Sequence, residues 1–154
     1  MQKDEDAALT RALLALYKET FEGPPEKGGF CLDPGTGLHQ TLANIGSDEA
    51  SKLIKGNSVA AHSRHLDYYL EVLHTYLRGN MQVADWQSAW KKRKVSSAEW
   101  IKLRKQIRER SKELEKHFEE IGNWDPDRIT LALAIVVHSA YHLASIRQMI
   151  KHLK

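Results

Sequence analysis

Ile135-Val-Val-His138-Ser-Ala-Tyr141-His142-Leu-Ala-Ser-Ile146, inside the stretch Asp125–Lys154, is the part of the chain whose reading decides the fold. As a helix, its spacing of four sets His138 and His142 on one face, about 40° apart at about 100° per residue. Leu131, Ala134, Ile135, Ser145, Ile146 and Met149 project to the same side, so that face is apolar and turns toward a core. Two histidines on one apolar face must satisfy four ring nitrogens away from water. Either they are packed, hydrogen-bonded core residues, or they share a cation. An i, i+4 pair is how one helix presents two nitrogens to one metal, although the spacing by itself is a weak motif. On the opposite side lie Ile129, Val136, Ala140 and Leu143, so this helix is apolar nearly all round and is expected to be covered all round, most simply by a second copy of the chain.

Working outward, the helix has a clean start: Asp125 as N-cap, then Pro126 and Asp127. Before it, Ser96-Ser-Ala-Glu99 forms a capping box for a third long helix with the stripe Trp100, Leu103, Ile107, Leu114, Phe118 and Ile121. Asn57 or Ser58 caps a second, running to about Leu77 and closing at Arg78-Gly79. Ala61, His65, Tyr68, Tyr69, Val72, Leu73 and Tyr76 make its apolar face, with His65 central, His62 about 60° off, and His74 on the far side with Asp67. The first long helix spans Asp4–Phe21 and stops at Gly23-Pro24-Pro25. A glycine- and proline-rich loop to Gly37 follows, long enough to suggest a lid, and then short helices at Leu38–Ile45 and from Ser47 to about Ile54. His39, at the start of this region, reads as a surface or rim residue. Residues 80–95 cross between the second and third long helices, with Trp86 and Trp90 four apart on what reads as a short helix plugging the core. No segment alternates as a strand does. The expectation is one all-α domain over 1–154, a four-helix bundle with a long crossover.

The 154 residues carry a net charge of +3, too little to imply a polyanionic partner. Of the basic runs Lys91–Lys94 and Arg104–Arg110, the second is interleaved with Glu109, Glu113, Glu115, Glu119 and Glu120, which reads as a solvated helix face, and a nucleic-acid partner is not expected. No unbroken apolar run reaches the roughly 18 residues of a membrane span, and the acidic first residues lack the features of a secretory signal. The one cysteine, Cys31, rules out an internal disulfide and fits a reducing compartment; a cytoplasmic location is expected.

The candidate metal site takes two nitrogens from His138 and His142. The third comes from the second long helix, with His65 favoured over His62, which could instead orient the site from outside. Three histidines with an open fourth position is the pattern of a catalytic metal. Imidazole-only ligation suits zinc, nickel or iron and disfavours magnesium or calcium. No Asp or Glu shares the histidine faces, so no general base is named; Tyr69 and Tyr141 project close enough to donate a proton or to hold a substrate, or to be simple packing.

Two segments make the chain recognisable. Ser58-Val-Ala-Ala-His-Ser-Arg-His65-Leu66 resembles the second-helix histidine motif, and His138-Ser-Ala-Tyr-His142-Leu-Ala-Ser-Ile-Arg-Gln148 the final-helix motif, of the DinB/YfiT-like superfamily. The resemblance extends over nearly the whole chain. It implies up-down-down-up connectivity, a divalent metal on His65, His138 and His142, frequent dimers, and either metal-dependent hydrolysis or S-transfer with a low-molecular-weight thiol on a small-molecule substrate. Ala144 departs from the pattern, standing where many members have glycine, which tightens packing near the site. The rival reading is a non-catalytic, stress-related scaffold in which a metal only stabilises the fold.

Overall fold

Three helices begin where a short polar side chain caps the first turn. Ser58 accepts from Ala61 N at 3.1 Å, Ser96 from Glu99 N at 3.2 Å, and Asp125 from Arg128 N at 2.9 Å. Each cap residue is extended and satisfies one of the backbone donors that a helix start leaves free. Glu99 completes the box by accepting from Ser96 N at 2.8 Å. The computed structural model describes residues 2–153; Met1 and Lys154, the two ends of the expected domain, lie outside the described residues.

The elements are α1 (Gln2–Glu22), α2 (Leu38–Ala43), α3 (Ser47–Ser51), α4 (Val59–Leu77), α5 (Ser97–Glu120) and α6 (Pro126–Lys151), with a 3-10 turn at Ser88–Trp90. Among the described residues there is no strand, only an isolated bridge between Ile54 and Asn57. The molecule is all-α, as expected. α4 packs on α5 and α6, and α1 packs on the same two, so the four long helices enclose one core. Leu66, Leu70, Ile107, Leu114, Ile135 and Ile146 are fully buried in it. Buried side-chain donors tie the elements together: Tyr17 Oη to Ser111 O at 2.7 Å joins α1 to α5, and Trp100 Nε1 to Ile45 O at 3.0 Å joins α5 to the segment between α2 and α3. Each such bond contributes about 1 kcal/mol net, and losing one partner costs more.

The rotation of α6 corrects the two-sided reading of this helix. Its buried residues form one continuous arc of roughly 140°, from Met149 and His142 through Ile135 and Ser139 to Leu143 and Val136. The histidines stand at one edge of that arc. Val136 and Leu143 stand at the other, inside the chain's own core, and Ile129 is half-buried; of the expected strip only Ala140 is exposed. α6 touches both α1 and α4, and two neighbours need a wide stripe. The large apolar residues that α6 exposes are Leu133, Val137 and Tyr141, the last two 66% and 62% exposed. By length and composition Pro126–Lys151 is apolar enough to cross a bilayer, a property that the core helix of a bundle shares.

Two more histidines lie deeper than expected. His39 is buried, not at the rim: Nε2 stands 3.1 Å from Ser111 Oγ and the ring packs on Phe21. The short α2 lies down on α1 and α5, which carries its first turn into the core. His74 and Ser63 of α4 are buried as well, because α4 is covered on the α5 side in addition to the α6 side. Asp67, on that same side, meets Arg110 Nε at 2.9 Å.

The loop 23–37 is clasped to α1. The buried Glu19 carboxylate accepts from the backbone N–H groups of Phe30, Cys31 and Leu32 at 2.8, 2.6 and 2.6 Å. Burial pushes its pKa up, but the three N–H donors outweigh that and hold the carboxyl below its ordinary range. The loop closes on itself where Gly37 meets the backbone of Gly23, an approach too tight for a Cβ at Gly37.

Candidate metal centre

α4 and α6 bring three of the chain's eight histidines to one point. His65 is in the second turn of α4; His138 and His142 are one turn apart at the edge of the buried arc of α6. One ring nitrogen from each lies within 4.8 Å of the others. His138 Nε2 is 3.3 Å from His65 Nε2 and 3.0 Å from His142 Nε2. The three residues that the sequence singled out are therefore brought together. They are the one such group of metal-ligating side chains among the described residues, and no carboxylate or thiol belongs to it.

His62 occupies a different place. Its Nδ1 is 3.0 Å from His142 Nδ1, on the far side of the His142 ring from the Nε2 that faces His138. Only one of the two Nδ1 atoms in that contact carries the proton. When His142 Nδ1 is the donor, its Nε2 is left with a free lone pair directed at the cluster. His62 thus stands against His142 and outside the group of three.

The electrostatics keep the imidazoles neutral. Burial lowers the pKa of His142 to about 2, with His138, His62 and His65 adding to the effect. Burial, helped by His65, takes His138 to about 4. Burial lowers His62 and His65 as well; at His65 the Trp86 backbone opposes this in part, yet Nδ1 completes no hydrogen bond. Neutral imidazole is the form that donates a lone pair to a metal.

Aromatic rings wall the cluster. Trp90 stacks on His65 with ring centres 4.3 Å apart and meets His62 edge-on at 5.0 Å. Tyr69 stacks on His138 at 3.7 Å, and Tyr141 lies edge-on to His142 at 5.2 Å. Trp86 packs on Tyr69 and Tyr68, and Tyr68 Oη accepts from Asp85 N, fixing the crossover. Burial raises the Tyr69 pKa, so its phenol stays protonated at neutral pH. The two tryptophans were expected in a core-plugging helix; they lie instead on a turn and the 3-10 segment, half-buried, against the histidines. Their spacing was visible in the sequence, but nothing local says that the crossover folds back over α4.

The donor set fits a metal ion. Nitrogens on a tetrahedral ion with bonds of about 2.0–2.1 Å stand about 3.3 Å apart, close to the separations found. Hydrogen bonding alone serves the cluster less well, since His138 Nε2 is shared between two other nitrogens and His65 Nδ1 stays without a partner. Three close histidines offering neutral nitrogens make a site that can bind a metal ion. Comparison with family models, with curated proteins and with solved structures finds no match.

Proposed function

We propose that this chain is a DinB/YfiT-like metal enzyme in which His65, His138 and His142 hold one divalent transition metal, namely zinc, nickel or iron. The reaction is attack by water or a low-molecular-weight thiol on a small electrophilic substrate. The observation that carries the reading is the convergence of three neutral imidazoles, from the two helices where the motifs lie, with no fourth protein ligand in the group. A closed structural site has four protein ligands, whereas three leave a position for an exogenous one. The all-histidine set favours a borderline ion over magnesium or calcium. The proposal includes the up-down-down-up sense of the bundle, with residues 78–96 as its crossover, a homodimer, and a cytoplasmic location.

A divalent ion held there supplies Lewis acidity, lowering the pKa of water or a thiol that it binds. The chain's residues set the conditions. His62 fixes the tautomer and tilt of His142 through the Nδ1 contact. Trp90 and Tyr69 hold the His65 and His138 rings by stacking and exclude water from their faces. Tyr141, largely exposed beside His142, stands where a bound substrate meets solvent and can offer it a phenolic proton.

The test is reconstitution with zinc, nickel and iron, elemental analysis, and cobalt substitution read by visible absorption. One metal per chain is expected, with a spectrum that shifts when a small thiol such as cysteine is added. Absence of metal after reconstitution overturns the site. Stoichiometric metal whose spectrum no thiol or anion perturbs overturns the enzyme reading in favour of a purely stabilising ion.

A further inference from the structure

A second concave surface lies between α2 and α5, elements that contribute nothing to the histidine cluster. A cavity of about 310 Å³ opens there, with the exposed Ala43 and Ile101 over the buried Leu42 on its apolar side and Arg104, Lys105 and Arg108 around it. None of its lining residues is acidic. Arg104 is held over Trp100 and half-buried, and its Nε is buried with no hydrogen-bond partner. Its Nη1 reaches only the Leu42 carbonyl, at 3.5 Å, and among the described residues it has no ion pair. A buried guanidinium N–H without an acceptor is costly, and the fork that carries it matches carboxylate and phosphate geometry.

Arg108 is partly occupied. Glu22 approaches it at 3.8 Å, and the same carboxylate stands 3.7 Å from His39 Nε2. Both separations are at the loose end of ion pairing, and both Glu22 and Arg108 are nearly half exposed. Ile101 is 59% exposed beside these cations, an apolar side chain left wet on a charged helix face. Beyond Arg104 a second cavity shares Ala43, Ile101 and Arg104 with the first and carries Asp48 and Glu49. An anion is thus attracted at the Arg108 end and repelled at the other.

We propose that the α2–α5 groove binds a small organic anion, its carboxylate or phosphate on Arg104 and Arg108 and its apolar part along Ala43 and Ile101. Glu22 acts as an internal competitor that the ligand's head displaces from Arg108.

The experiment titrates octyl phosphate, octanoate, inorganic phosphate and the uncharged octyl glucoside into the metal-loaded full chain, read by calorimetry and by methyl NMR of Leu42 and Ile101. Octyl phosphate or octanoate is expected to saturate one site per chain, at least about tenfold tighter than inorganic phosphate; the better of the two identifies the head group. Octyl glucoside should not bind there. Arg108→Gln should weaken binding about tenfold, and Glu22→Gln should strengthen it several-fold. Arg104→Gln should also weaken it; should that variant lose its fold by circular dichroism, Ile101→Ser at an exposed position carries the test of the apolar half. Failure of both amphiphilic anions to saturate at millimolar concentration, equal binding of octyl glucoside, or indifference to both Arg108→Gln and Glu22→Gln would overturn the proposal. Because the groove shares no residue with the metal centre, metal content reads that centre separately.

Discussion

His142 is buried on all sides, with one ring nitrogen toward His138 and the other toward His62. On the metal proposal, His142→Ala should lose most of the bound ion, and His65→Ala should do the same. His62→Ala should weaken metal binding by about 10–100-fold, the usual cost of removing a residue that orients a ligand. Competition with a chromophoric chelator measures all three, and a His62→Ala loss equal to that of His65→Ala would place His62 among the ligands. A second prediction concerns His39 and His74, each lowered by burial to about 4, with nearby cations adding to the effect. Their folded pKa lies below the unfolded value of about 6.5, so the unfolded chain binds more protons between those limits. Stability is therefore fully present above about pH 6.5 and falls as pH drops toward about 4, by on the order of 2 kcal/mol per histidine near pH 5. Urea midpoints measured between those limits should show the slope, and His39→Gln should reduce it by that residue's share, leaving the part due to His74 and the other buried histidines. The histidine trio was legible in the sequence because i, i+4 spacing and a central place on an apolar face are local properties. The depth of His39 and His74 was not, because it depends on which neighbours α2 and α4 find.

At the scale of elements, boundaries were the easiest thing to read. Ser58, Ser96 and Asp125 are cap residues followed by periodic apolar stripes, and all three caps form. Asp125→Ala should cost about 1 kcal/mol, measurable by chemical denaturation. The rotation of α6 was not legible. A helix apolar nearly all round has no preferred side, so the sequence could not say which part of its circumference α1 and α4 take. The structure makes a sharp contrast between neighbours. Val136→Glu places a carboxylate in the core and should cost at least about 3 kcal/mol or prevent folding. Val137→Glu, at a largely exposed site, should change the stability of the folded chain by no more than about 0.5 kcal/mol. Similar melting curves for the two variants would mean that α6 is turned differently.

For the whole molecule, the proposed dimer must use a face that is free, and on α6 that is Leu133, Val137 and Tyr141. In that arrangement Val137→Glu should yield a folded monomer that still binds metal, seen by sedimentation velocity at micromolar concentration; a monomeric wild-type protein at the same concentration would end the dimer proposal. The loop 23–37 has consequences of another kind. Its ends already touch at Gly23 and Gly37, so a chain lacking the intervening residues would join α1 to α2 without stretching anything. Glu19 would then lose its three backbone donors together with the loop residues that cover it, and its carboxylate would return to water. Excision thus removes both the cover and the reason for an acid at position 19. The loop and its acid thus form one unit of inheritance: a related chain with a short crossing here is free to vary at position 19, and a chain that keeps the long loop should keep the glutamate.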